Sequence, residues 1–178
     1  MKKNILFLLL LICSFSFAQK SLEIYNYSTK TITISIVVTK PPTGIYPWFA
    51  SVTPATITIP AGGQYILQNN SNIYRFPFLS PSSTPQITNW RKVIQSTGGN
   101  GSFTNVTSQV AWPQGNSQFF NYISFTVNNG TQGGGNIGEL GQYVSTITLQ
   151  NNTYHWEADY DNFTLGNTII NTIDFYDI

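Results

Sequence analysis

One short segment holds half of the histidine and carboxylate side chains in this chain, the groups suited to acid–base or metal chemistry. Residues 155–161 contain the only histidine, His155, and three of the seven acids, Glu157, Asp159 and Asp161. Alternate residues of an extended strand point to the same side. If the segment is a strand, these four side chains therefore share one polar face, opposite an apolar one.

The polar face has two interpretations, a solvated sheet surface or a cation site. Glu157, Asp159 and Asp161 are the candidate ligands, because carboxylate oxygens suit Ca²⁺. The segment lacks the glycine and the distal glutamate of a loop-type calcium site. Carboxylates two residues apart on a strand also lie about 7 Å apart, too far to enclose one ion by themselves. We therefore predict no metal and no cofactor, with Ca²⁺ as the alternative.

Recognisable hydrolase motifs are missing from the sequence. It contains neither Gly-x-Ser-x-Gly nor His-Glu-x-x-His, the patterns of serine hydrolases and zinc proteases. A two-carboxylate glycosidase needs no histidine, and Glu139 and Glu157 are candidates for such a pair. Other pairs among the seven acids fit equally well. We predict that the chain is not an enzyme and that no residue is catalytic, with a two-carboxylate hydrolase as an alternative.

Tryptophans in loops favour a binding function. Trp48, Trp90 and Trp112 lie in or near predicted loops, whereas Trp156 lies in a predicted strand. An exposed indole can stack on a sugar ring while neighbouring polar groups bond its hydroxyls. Trp48 and Trp112, both beside prolines, are the first candidates, and Trp90 with Arg91 is the next. Each could instead pack over the end of its own fold.

The elements that position these residues are short strands. In residues 31–38, Ile and Val alternate with Thr and Ser, which is typical of a half-buried strand. Nine or ten such segments recur between Gly, Asn, Ser and Pro clusters. Their spacing predicts an all-β fold, a single antiparallel β-sandwich of immunoglobulin-like or jelly-roll-like type with little or no helix.

Three stretches interrupt this pattern. Residues 41–54 and 128–138, rich in proline and glycine respectively, are predicted loops. Residues 86–96 fit either a strand or a short helix. At the C-terminal end, residues 163–170 and 172–178 are predicted to form separate strands.

The N-terminal residues have the layout of a secretory signal peptide. An apolar run over residues 5–12 follows Lys2 and Lys3, and Ala18 provides the small residue of a cleavage site. Paired lysines at this position are typical of bacterial signal peptides. The run is too short to span a bilayer of about 30 Å. We expect cleavage after Ala18 and export of residues 19–178, as a single domain, to the periplasm, the cell surface or the medium. Lipidation at Cys13 is the alternative.

Composition excludes several functions for the exported part. Cys13 is the only cysteine, so residues 19–178 have no disulfide, no catalytic thiol and no thiolate metal site. Removing Lys2 and Lys3 takes the formal net charge from +1 to about −1, which argues against nucleic acid and anionic membranes as partners. We also predict no membrane span in the mature chain.

These observations favour a secreted or cell-surface, non-enzymatic binding module. Its predicted partner is a glycan or another surface polymer, recognised by the loop aromatics, and no protein partner follows from the sequence. One alternative is a structural or adhesive protein that self-associates through edge strands such as residues 172–178. The other is the two-carboxylate hydrolase.

Overall fold

Alternation of β-branched and polar residues produces strands along most of the chain. The computed structural model describes residues 19–68, 74–95 and 101–178. Of the described residues, 57% are in strands and 7% in helices. The described strands are β1 (Gln19–Asn26), β2 (Ile32–Lys40), β3 (Trp48–Thr53), β4 (Ile57–Ile59), β5 (Gln64–Leu67), β6 (Asn89–Ile94), β7 (Ser102–Thr107), β8 (Phe119–Val127), β9 (Gly134–Gly138), β10 (Thr146–Gln150), β11 (His155–Leu165) and β12 (Thr168–Tyr176). A short helix α1 (Ser108–Ala111) and a 3-10 helix (Trp112–Ser117) connect β7 to β8.

The strands form two sheets that pack face to face. One sheet has the order β10-β11-β12-β1-β5, and the other has the order β7-β6-β3-β2-β8-β9 with β4 also paired to β2. The predicted all-β sandwich is therefore confirmed. The prediction of purely antiparallel pairing is wrong for one pair, because β1 and β12 run parallel from Gln19 opposite Thr168 to Asn26 opposite Phe175. Alternation shows which face a residue occupies, but not the direction of the neighbouring strand.

Aromatic residues from both sheets meet in the core. Phe125 of β8 packs edge-on against Trp156 of β11 and Phe175 of β12, with ring centroids 5.7 and 4.9 Å apart. Nearby, Phe78 lies edge-on to Trp90, 5.2 Å away. One cluster of buried apolar side chains extends from Leu22 to Phe175 in sequence, so its burial holds the two sheets together.

The C-terminal strands differ from the prediction. Residues 163–165 continue β11, a turn follows at Gly166, where φ is +61°, and β12 extends from Thr168 to Tyr176. Since β12 lies between β11 and β1, the prediction that residues 172–178 form an edge strand is wrong. The described edges are β10 and β5 in one sheet and β7, β9 and the short β4 in the other.

Two strands lie in segments predicted as loops. β3 falls within the proline-rich residues 41–54, and β9 falls within the glycine-rich residues 128–138. Residues 86–96 contain strand β6 rather than a helix. Within the described ranges, no helix is long and apolar enough to cross a membrane. The predicted signal peptide, including Cys13, lies outside the described residues.

Irregular pairing between β2 and β8 changes which side chains face outward. Opposite β2, the partner changes from Tyr122 at Val38 to Phe120 at Thr39, so Asn121 is an extra residue in β8. A second irregularity at Ser35 interrupts the predicted alternation of β2. Bulges of this kind bend a strand and re-aim its side chains, and they are common beside functional sites.

Candidate functional site

An open pocket of about 350 Å³ lies beside the β8 bulge. We call it the aromatic pocket, and its lining includes Lys40, Trp48, Asn121, Tyr122, Gln142 and Tyr143. The apolar side chains Val38 and Ile45 complete it. Its volume lies within the range of about 300–1,000 Å³ that is usual for ligand sites.

Three neighbouring strands and one connection position these residues. β2 lies between β3 and β8 in the sheet, which brings Lys40 at the end of β2 near Trp48 of β3 and Tyr122 of β8. Gln142 and Tyr143 belong to the connection between β9 and β10. The pocket is therefore assembled from segments that are distant in sequence.

Two tyrosines form an aromatic wall of the pocket. The rings of Tyr122 and Tyr143 stack with centroids 3.8 Å apart and an angle of 29° between their planes. Burial and the neighbouring Tyr122 hydroxyl raise the pKa of Tyr143 to about 12, so this hydroxyl stays protonated well above neutral pH. Trp48 is half-buried and adds a third aromatic side chain.

Carboxamides supply the polar groups of the aromatic pocket. Asn121 is only 7% exposed, and its Oδ1 accepts no hydrogen bond from the described residues. An unpaired buried acceptor costs about 1–3 kcal/mol. Gln142 is exposed at the rim. The carboxamide of Gln142 is therefore accessible to a ligand, whereas Asn121 Oδ1 is enclosed.

A second pocket of about 450 Å³ lies next to the first. We call it the polar pocket, and its lining includes Lys20, Glu139, Ser145, Tyr160, Asp161 and Asn162. The Tyr160 hydroxyl donates to Asn171 Oδ1 over 2.9 Å, and Asn162 Nδ2 donates to the same oxygen over 2.7 Å. Burial raises the pKa of Tyr160, which keeps this hydroxyl protonated as a donor.

Lys20 is buried at the base of the polar pocket. Its Nζ donates to the carbonyl oxygens of Asn116 and Gln118, both over 2.7 Å, and lies 3.9 Å from the centroid of the Phe119 ring. Burial lowers the pKa of Lys20 from 10.5 to about 8. Two carbonyl groups and the face of one ring surround the ammonium. Lys20 therefore links β1 to the residues around the start of β8.

One ion pair separates the two pockets. Lys40 lines the aromatic pocket and Glu139 lines the polar pocket, and Lys40 Nζ lies 2.6 Å from Glu139 Oε2. The backbone N–H of Glu139 also donates to the carbonyl of Asn121 over 2.8 Å. Glu139 is thereby held between the β8 bulge and the polar pocket.

The predicted tryptophans occupy three different environments. Trp48 lines the aromatic pocket. Trp90 is completely buried and donates from Nε1 to Ser108 Oγ over 2.9 Å, so the expectation that it is exposed is wrong. The reason is that Trp90 lies on the face of β6 that packs into the core, whereas the next residue, Arg91, lies on the exposed face.

The remaining binding candidates lie outside both pockets. Trp112 is half-buried and packs against the core, and the Arg75 guanidinium lies 3.9 Å from its ring centroid. Arg91 is exposed on β6, 5.0 Å from the ring centroid of Phe103. The described fold therefore does not bring Trp48, Arg91 and Trp112 into one site.

The acidic side chains of β11 lie in two different environments. Asp161 lines the polar pocket, whereas Asp159 and Glu157 accept hydrogen bonds from threonines of β10, over 2.8 and 3.4 Å. In the part of the chain that the structure describes, no three His, Asp or Glu side chains group closely enough to hold a metal. Glu139, the other predicted hydrolase candidate, lines the polar pocket without Glu157.

The sequence interpretation missed Asn121, Tyr122, Gln142 and Tyr143. Their only sequence signal was the abundance of Tyr and Asn in the chain, which does not indicate which of these residues come together. Comparison with protein-family models and with curated proteins finds no match to this chain. The functional interpretation therefore depends on the geometry of the two pockets.

Proposed function

We propose that this protein is an exported, non-enzymatic module that binds a glycan in the aromatic pocket. The observation that carries the proposal is the placement of Trp48 and the stacked Tyr122–Tyr143 pair in one pocket with the carboxamides of Asn121 and Gln142. This combination offers flat apolar surface and hydrogen-bonding groups within one pocket.

The chemistry of a sugar ring matches both features. Its C–H face is apolar and packs against aromatic rings, while its hydroxyls need partners that can donate and accept. Carboxamides do both, and Asn121 and Gln142 supply two of them. Only 8% of the chain is charged, so recognition by hydroxyl contacts agrees with the general character of the molecule.

The test is calorimetric titration with a panel of soluble oligosaccharides. We expect binding to at least one sugar by the wild-type protein and a loss of at least about tenfold in Trp48→Ala, equivalent to about 1.4 kcal/mol. The matched control is Phe103→Ala, which removes a 66% exposed aromatic ring outside both pockets. Equal weakening in both variants, or no binding to any sugar, would overturn the proposal.

A second variant separates binding from folding. Gln142 is exposed, so Gln142→Ala should leave the melting temperature unchanged while weakening sugar binding. Chromatography of the sugars after incubation also tests the hydrolase alternative. Intact sugars support the binding module, whereas shorter products that vanish in Glu139→Gln would favour a hydrolase.

Self-association through β7 is the second candidate function. β7 is an edge strand of its sheet, almost all of its residues are exposed, and it carries the exposed Phe103. Unpaired edges pair readily with other strands, and lysine on an edge opposes this. Sedimentation velocity over a range of protein concentrations should reveal assembly that Thr104→Lys abolishes. A concentration-independent monomer would exclude this candidate.

A further inference from the structure

We infer that the aromatic and polar pockets are two subsites of one binding site for an uncharged oligosaccharide. The inference rests on the proposed function, because it extends the same site. It adds the length and the charge class of the ligand, neither of which follows from the aromatic pocket by itself.

The aromatic pocket and the polar pocket share a border. The connection that follows β9 contributes Glu139 and Ser145 to the polar pocket and Gln142 and Tyr143 to the aromatic pocket. The Lys40–Glu139 pair, with 2.6 Å between its charged atoms, lies where the pockets meet. A ligand chain that leaves one pocket across this pair therefore enters the other.

Hydrogen bonds within the protein hold two polar side chains of the polar pocket in place. Tyr160 and Asn162 are both fixed by Asn171 Oδ1. Asn171 is 3% exposed, and its Nδ2 donates to the carbonyl of Ser21 over 2.9 Å. The exposed donors and acceptors of the pocket are therefore held in place before a ligand arrives, which reduces the entropy lost on binding.

The two lysines that line the pockets already have partners within the protein. Lys40 is paired with Glu139, and the ammonium of Lys20 is satisfied by two carbonyl groups and the Phe119 ring. Both lysines that line the two pockets are thus already occupied, while Asp161 adds a negative charge to the polar pocket. An acidic sugar would meet no available cation there, so the site favours hydroxyl groups over carboxylate or sulfate.

The experiment measures affinity as a function of oligosaccharide length. The probes are gluco-, xylo-, manno- and N-acetylchito-oligosaccharides of one to six units, together with uronic-acid oligomers, titrated into the wild-type protein and three variants. Asn162→Ala alters the polar pocket and Trp48→Ala alters the aromatic pocket. Thr164→Ala is the control, because Thr164 lies two residues from Asn162 on the same face of β11 but lines neither pocket.

We expect a tetrasaccharide to bind the wild-type protein about tenfold more tightly than the corresponding monosaccharide. Asn162→Ala should weaken tetrasaccharide binding about three- to tenfold, as for one or two lost hydrogen bonds. It should leave the monosaccharide affinity unchanged. Thr164→Ala should match the wild type. Ser145→Ala provides a second polar-pocket variant if Asn162→Ala lowers the melting temperature.

The outcomes distinguish this inference from the proposed function. If no sugar binds, or if Trp48→Ala binds as well as the wild type, the proposed function fails and this inference fails with it. If sugars bind through Trp48 but affinity does not rise with length, or rises equally in Asn162→Ala and Ser145→Ala, only this inference is overturned. It is also overturned if uronic-acid oligomers bind more tightly than neutral ones at low salt and lose that advantage at high salt.

Discussion

The Lys20 ammonium lies 3.9 Å from the centroid of the Phe119 ring. It also donates to the carbonyls of Asn116 and Gln118, so ring and carbonyl dipoles hold it in a site where Lys20 is 7% exposed. Because Lys20 belongs to β1 and Phe119 begins β8, this contact joins the two sheets at the base of the polar pocket.

The first prediction concerns the pH dependence that Lys20 confers on stability. Its pKa is lowered from 10.5 to about 8 by burial. Between these pH values the unfolded chain holds a proton that the folded chain has released, so the free energy of unfolding should rise with pH in this window. Urea unfolding at pH 7, 8 and 9 should show the rise in the wild type and its loss in Lys20→Met. Identical pH profiles for the two proteins would contradict the assignment.

The second prediction concerns unfolding in alkali. Burial raises the pKa of Tyr65 from 10.0 to about 12, and its hydroxyl donates to the carbonyl of Pro85 over 3.1 Å. Above pH 10 the unfolded chain loses this proton while the folded chain retains it, so stability should fall as the pH rises towards 12. Tyr65→Phe should be about 1 kcal/mol less stable at pH 7 but fall less steeply above pH 10. A parallel fall in both proteins would argue against Tyr65 as a source of the loss.

The third prediction separates the core role of Trp90 from binding. Ser108 Oγ accepts from the Trp90 indole over 2.9 Å and donates to the carbonyl of Ile87 over 2.6 Å. Ser108→Ala leaves a buried indole N–H without its partner and should cost about 1–3 kcal/mol. Trp90→Ala should cost about 3–5 kcal/mol. Denaturant titration measures both, and sugar affinity of the folded Ser108→Ala protein should equal that of the wild type; a weaker affinity would mean that Trp90 influences the site.

The fourth prediction concerns the contact between β9 and the β8 bulge. A side chain at Gly138 would collide with the backbone of Asn121 and Tyr122. Gly138→Ala should therefore push β9 away from β8 and destabilise the protein by about 1–3 kcal/mol. Because Asn121 and Tyr122 line the aromatic pocket, sugar affinity should also fall. Unchanged stability would show that the two strands separate without strain, and unchanged affinity would show that the pocket does not depend on their contact.

Regular local patterns were sufficient to predict several elements. Residues 123–127, Ile-Ser-Phe-Thr-Val, alternate between apolar and polar side chains, and they form part of β8. The sequence Pro-Ala-Gly-Gly over residues 60–63 is typical of a turn, and a turn follows β4 there, with Gly63 N donating to the Pro60 carbonyl over 2.9 Å. In both cases the signal lies within a few consecutive residues, and the packing of the rest of the chain does not oppose it.

Other elements were not predictable because their signal is absent from the local sequence. β9 is mostly glycine, which has no side chain to alternate, and it forms a strand because its backbone fits closely against β8. β3 is flanked by prolines that suggest a loop, yet it pairs with β2 and β6. Trp90 is a core residue because its face of β6 packs against the core, where Phe78 lies edge-on to it, and the local sequence does not indicate which face is covered.

The sequence by itself determined that this chain forms a β-sandwich with few charges and abundant aromatic and carboxamide groups, because alternation and composition are local properties. Only the tertiary structure decided which of these groups meet. Trp48 and Tyr122 belong to different strands, and Tyr143 belongs to a connection, so their placement in one pocket depends on strand order and on one bulged residue, Asn121. Strand order and bulges arise from the packing of whole sheets, which no short segment specifies.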